Sequence, residues 1–193
     1  MTLANWLTLS RIAAIPLLVT LLYVPGPVGA WTACAVFCLA GFTDWLDGHL
    51  ARTRNQGSDF GRMMDPIADK LLVASALLVM VATGKIEDWA VLAALVILCR
   101  EILVSGLREY LAGLKVGLPV SRLAKWKTGL QMVSIGVLIV GADGPAWLPV
   151  LWIGEIGLWG AAILTLWTGW DYLRAGIGHA DTTGRPASLP EGR

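Results

Sequence analysis

The sequence predicts an all-α integral membrane protein with six transmembrane helices. Hydrophobic residues make up 56% of the 193-residue chain and charged residues only 15%. Mean hydropathy is +0.66, which is not the composition of a soluble domain. Several apolar runs approach the roughly 20 residues that a helix needs to cross a bilayer. Ten tryptophans agree, because Trp is favoured at the two lipid–water interfaces.

The first helix is expected from about Leu9 to Val24, after a short amphipathic lead, and it ends at "PGPVG". The second covers Ala30 to Arg52 and the third Asp59 to Ala82, with "NQGS" between them. The fourth runs from Asp88 to Ala112, after "TGKIED", and the fifth from Arg122 to Val140, after "GLKVGLP". "GADGPAWLP" then leads to the sixth, Leu151 to Leu173. Each connection is rich in Gly, Pro, Asn or Asp, the residues that favour turns. Residues 1–175 are expected to form one membrane domain. The polar tail 176–193, "GIGHADTTGRPASLPEGR", is expected to be disordered.

Alternate loops differ in charge. One side of the membrane receives Arg52, Arg54, Lys115, Arg122, Lys125, Lys127, Arg174, Arg185 and Arg193, and the other only Lys85. Basic loops stay on the cytoplasmic side, so both termini of this multi-pass chain are expected there. The N-terminus has neither a basic start nor a small-residue cleavage site, so no removable signal peptide is expected. Cys34, Cys38 and Cys99 lie in apolar runs without zinc-ligand spacing and are read as inert thiols.

The exception to this apolar pattern is "DWLDGHLARTRNQGSDFGRMMDPIADK", residues 44–70, with five aspartates. Asp44 and Asp47 lie i,i+3 near the end of helix two, and Asp65 and Asp69 lie i,i+4 near the start of helix three. Each pair falls on one helical face. A short turn makes these helices antiparallel neighbours, so both pairs can face one cleft, beside the small residues Gly48, Ala51, Gly61 and Ala68. One Asp at a helix centre costs roughly 2.5–3.5 kcal/mol to insert, and like charges sharing a site are not all ionised unless a cation offsets them. Arg62 and Lys70 are candidate ion-pair partners. Hard carboxylate oxygens also suit Mg²⁺ or Mn²⁺, and such a set can hold two ions about 3.5–4 Å apart for phosphoryl chemistry. The other readings are an ion pathway in a divalent-cation transporter and a structural salt-bridge network. A pathway places its acids nearer the midplane, whereas these cluster at one interface beside arginines, as suits a lipid headgroup. Asp59 falls outside both faces and reads as a helix-start residue.

Asp44, Asp47, Gly48, Ala51, Arg52, Gly61, Asp65 and Asp69 stand as D-x2-D-G-x2-A-R-x8-G-x3-D-x3-D. This resembles the signature of the CDP-alcohol phosphotransferases, membrane enzymes of phospholipid synthesis, at all eight positions. The resemblance implies a six-helix fold with a cytoplasm-facing polar cavity, and a homodimer. It implies that Asp44, Asp47, Asp65 and Asp69 hold a two-metal centre of Mg²⁺ or Mn²⁺, with Asp69 also the general base. Gly48, Ala51, Arg52, Ser58 and Gly61 would hold or make room for the cytidine diphosphate of CDP-diacylglycerol.

Two further stretches are similar to the bacterial phosphatidylglycerophosphate synthase branch of that family. In "NWLTLSRIAAIP", Asn5, Thr8 and Arg11 would contact the lipid headgroup at the cavity mouth; otherwise they are capping residues and a snorkelling Arg. In "CREILVSGLREYLAG", Glu101, Ser105 and Arg108 share a face, with Arg100 and Glu109 beside them, and "RLAKWKTGLQ" adds Arg122, Lys125 and Lys127. Polar residues within a span are functional candidates, and this cluster of cations suits an anionic acceptor, sn-glycerol 3-phosphate. For Lys125 and Lys127 the plainer reading is flanking charge. The products would be phosphatidylglycerol phosphate and CMP. Within the family the competing activities are cardiolipin synthase and phosphatidylinositol phosphate synthase. Membrane lipids are the other expected partners, and nucleic acid is not.

Overall fold

A computed structural model of the chain describes residues 3–54, 59–113 and 122–183. Among them are six α-helices: α1 (Leu3–Leu22), α2 (Pro27–Arg54), α3 (Asp59–Ala82), α4 (Ala90–Gly113), α5 (Arg122–Val140) and α6 (Val150–Thr183). There are no strands among the described residues. The N-terminal lead is continuous with α1, because Leu3 to Ile15 contains neither Gly nor Pro and an existing helix extends at little cost. At the other end α6 runs past the boundary expected at residue 175, to Thr183. Gly176 and Gly178 each cost a helix only about 1 kcal/mol, and the first strong breaker after them is Pro186. Residues 184–193 lie outside the described part.

The turns follow from local chemistry. Between α1 and α2 the chain reverses at Gly26, whose φ of +86° favours glycine, and Pro27 opens α2 where a missing N–H costs nothing. A Cβ on Gly29 would lie 2.2 Å from the Val24 carbonyl oxygen, so only glycine permits this reversal. After α3, Gly84 takes a left-handed φ of +70°, and Lys85 N–H bonds Met80 O at 2.8 Å, closing the helix end. Lys85 Nζ then donates to Ile139 O at 2.9 Å, tying this turn to the end of α5.

α1 packs along α2 and α3, α4 along α6, and α5 along α6. The core runs through Leu18, Phe37, Leu72, Met80, Ile97, Ile135, Leu138 and Leu158. The α5–α6 contact is close because α6 presents glycines: a Cβ on Gly154 would lie 2.5 Å from Leu138 Cγ, and one on Gly157 2.3 Å from Ser134 Oγ. Small residues bring membrane helices together where van der Waals contact, rather than the hydrophobic effect, supplies the attraction.

The outer surface is apolar, with Leu78, Ile102 and Ile163 exposed. Most exposed tryptophans fall near the ends, with Trp6, Trp126, Trp167 and Trp170 at one, Trp31, Trp89, Trp147 and Trp152 at the other, and Trp159 between them, as in the two belts of a protein spanning a bilayer. Segments of α2, α4 and α6 are long and apolar enough to cross a membrane, and Trp6–Leu22 is a shorter apolar helix. α3 and α5 open on charged turns, which shortens their apolar length. The chain is a multi-pass membrane protein. Cys34, Cys38 and Cys99 are free thiols.

Candidate active site

The start of α1, the end of α2 and the start of α3 meet at one end of the bundle. Thr8 and Arg11 are adjacent on one face of α1, and both are buried, Arg11 to 1% exposure. One Arg11 amino group donates to Asp44 Oδ1 of α2 and the other to Asp65 Oδ1 of α3 at 3.3 Å. Thr8 Oγ1 donates to Asp65 Oδ1 at 2.5 Å. Arg11 therefore does not snorkel to the surface: two carboxylates from different helices converge on it. They remain partly exposed, at 45% and 42%, so the cleft is open to solvent on their side.

Asp69, one turn beyond Asp65, lines a cavity of about 30 Å³ together with Lys70, Glu101, Thr128 and Gln131. Lys70 Nζ donates to the Pro66 carbonyl at 2.9 Å. On the far wall Glu101 of α4 forms an ion pair with Lys127 of α5 and a weaker one, at 3.4 Å, with Arg100. Arg100 reaches α6, donating to Thr168 Oγ1 at 2.9 Å, with its guanidinium 5.9 Å from the Tyr172 ring centre. Lys127 is thus a buried, paired cation and not flanking charge. Ser105 and Arg108 line a larger cavity of about 280 Å³ with Pro66, Lys70, Arg100 and Glu101.

Thr8, Arg11, Asp44, Asp65 and Asp69 are thus gathered at one end, with Glu101 and Lys127 behind them. Asn5, Asp47, Gly48, Ala51, Arg52, Gly61, Arg122 and Lys125 lie in helices α1, α2, α3 and α5, but their side chains are outside the described part, as is all of Ser58. Arg100, placed beside the Glu101 face by the sequence, is joined here by Gln131, Thr168 and Tyr172, which the motif-based reading does not assign. The sequence does carry a signal for them: Lys127, Gln131 and Ser134 repeat at helical spacing in apolar α5, as do Thr165, Thr168 and Tyr172 in α6.

Among the described side chains, which do not include that of Asp47, no group of three or more His, Cys, Asp or Glu is close enough to hold a metal ion. Asp44 and Asp65 nevertheless point at a shared cation. The donors they offer are hard carboxylate oxygens, the kind that Mg²⁺ and Mn²⁺ take, so the residues present fit a divalent ion.

A helical membrane bundle with acids and buried cations gathered at one end is of the class that can receive a charged group at the bilayer surface. Comparison with known proteins narrows the class. Residues 1–167 match the model of the CDP-alcohol phosphatidyltransferase family. A Rickettsia bellii protein named CDP-diacylglycerol–glycerol-3-phosphate 3-phosphatidyltransferase is 44% identical over 173 residues, covering 90% of this chain and 94% of that one. A Pseudomonas fluorescens protein of the same name is 41% identical over 189 residues, covering 96% and 95%. The fold is shared with the crystal structure of Mycobacterium tuberculosis phosphatidylinositol phosphate synthase in complex with manganese and citrate. There the TM-score is 0.62 at 19% identity, covering 89% of this chain and 82% of that one. The chain belongs to the CDP-alcohol phosphatidyltransferase family, and it is an enzyme of phospholipid synthesis.

Proposed function

We propose that the protein transfers the phosphatidyl group of CDP-diacylglycerol to sn-glycerol 3-phosphate, giving phosphatidylglycerol phosphate and CMP. The observation that carries this reading is the shared name of relatives at 41–44% identity over nine-tenths or more of the chain. The site supports it, since carboxylates facing buried cations suit two phosphate-bearing substrates.

Asp44, Asp47, Asp65 and Asp69 would hold Mg²⁺ or Mn²⁺, which supplies positive charge against the diphosphate and the departing CMP. Gly48, Ala51 and Gly61 leave room for the nucleotide, and Arg52 and Ser58 bind its phosphates. Asn5, Thr8 and Arg11 close the same end of the cleft. Asp69 accepts the proton of the acceptor hydroxyl. The hydroxyl oxygen bonds to the phosphorus that carries the diacylglycerol, and the bond from that phosphorus to the CMP oxygen breaks. There is little covalent work for the side chains beyond this, so positioning and charge dominate. Lys127, with Arg108, Arg122 and Lys125, gives the acceptor phosphate its counter-charge, while Glu101 and Ser105 shape that wall.

Residues 1–175 make up the catalytic domain, which works as a homodimer in the bacterial inner membrane. Its site faces the cytoplasm, the side to which the basic residues at the end of α2 and the start of α5 fall. The test is CMP release by purified protein given CDP-diacylglycerol, Mg²⁺ and one acceptor at a time. Release with glycerol 3-phosphate is expected. Release with phosphatidylglycerol or inositol phosphate but not with glycerol 3-phosphate would overturn the acceptor assignment.

A further inference from the structure

The inner face of α5 carries three buried polar residues, Lys127, Gln131 and Ser134, each 3% exposed. Lys127 is paired with Glu101, and Ser134 Oγ donates to Leu130 O at 2.7 Å. Gln131 differs: its Oε1 is buried and has no hydrogen-bond partner among the described residues. A buried acceptor left unmatched destabilises a fold, and an apolar residue of similar volume would remove that cost. Gln131 also lines the cavity of about 30 Å³ that Asp69 lines, the volume of one water molecule or one hydroxyl group. Thr128 and Glu101 face the same space.

Glycerol 3-phosphate has two neighbouring hydroxyls, and only one attacks. If that hydroxyl gives its proton to Asp69, the other is one carbon away and needs an acceptor of its own. We infer that Gln131 is a specificity-determining residue whose amide oxygen accepts a hydrogen bond from the second hydroxyl of the acceptor, in the cavity beside Asp69. The inference rests on the reading of Asp69 as base and of glycerol 3-phosphate as acceptor. A site built to hydrogen-bond a hydroxyl rejects the analogue without it, since the buried partner is then left unmatched.

The experiment compares glycerol 3-phosphate with 3-hydroxypropyl phosphate, which keeps the attacking hydroxyl and the phosphate but lacks the second hydroxyl. Wild-type enzyme is expected to prefer glycerol 3-phosphate in kcat/KM. In Gln131→Met that preference falls by about tenfold, the loss of one good hydrogen bond, through the natural acceptor alone. The KM for CDP-diacylglycerol stays unchanged, and the thermal midpoint in detergent stays the same or rises. Gln131→Asn keeps the amide one methylene further back and is expected to fall between the two. An equal fall with both acceptors would assign Gln131 a merely structural role and overturn the inference. So would a full preference retained in Gln131→Met. Wild-type protein that releases no CMP with glycerol 3-phosphate removes the acceptor assignment itself, and the inference with it.

Discussion

Glu101→Gln leaves Lys127 charged in a site where its side chain is only 4% exposed. Removing one partner of a buried ion pair costs roughly 3–5 kcal/mol. Two features reduce the figure here: Glu101 is itself 17% exposed, and a glutamine oxygen still accepts a hydrogen bond from the ammonium. A loss of about 2–3 kcal/mol is expected, and at roughly 2–4 °C per kcal/mol for a chain of this size the midpoint falls by about 5–10 °C. The assay is thermal unfolding in detergent, followed by intrinsic tryptophan fluorescence. The diagnostic comparison is the double variant Glu101→Gln/Lys127→Met, in which Lys127 is gone and Arg100, weakly paired with Glu101, keeps its hydrogen bond to Thr168 Oγ1. It should recover most of the lost stability, a coupling of about 2 kcal/mol, while CMP release stays impaired because Lys127 is gone. A double variant whose loss equals the sum of the two single losses would show that the pair does not act as a unit. The account of this wall would then be wrong.

Asp69→Asn should lower CMP release by at least about 10²-fold, the range of general-base contributions, while Mn²⁺ binding followed by electron paramagnetic resonance persists. Turnover at the wild-type rate would remove Asp69 as base. Arg11→Met should cost more thermal stability in EDTA than in millimolar Mg²⁺, since without the guanidinium Asp44 and Asp65 need another cation between them; equal losses in both media would argue against an ion there. Gly157→Ala brings a methyl to 2.3 Å from Ser134 Oγ, and overpacking of this kind costs about 1–3 kcal/mol. An unchanged midpoint would mean that α5 and α6 can move apart freely.

Much of this molecule is legible in its sequence because membrane helices are governed by local rules. Apolar length, Gly and Pro punctuation and the loop charges give the six helices, since backbone groups in lipid must be satisfied within each segment. The paired faces of Asp44 with Asp47 and of Asp65 with Asp69 follow from helical periodicity alone. Helix ends are less well determined: α6 continues through Gly176 and Gly178, and the lead joins α1, because propagation outweighs weak local preferences. What only the tertiary structure decides are the contacts between helices. Arg11 lies far from Asp44 and Asp65 in sequence, and it becomes their common partner only when α1 packs against both α2 and α3. Lys127 reads either as an acceptor-binding cation or as flanking charge until α5 turns it onto Glu101 of α4. Gln131 reads as one polar residue in an apolar helix until its unmatched oxygen is found beside Asp69. Periodicity states which residues share a face, whereas packing decides which face meets which, and the chemistry of this site lies in that second choice.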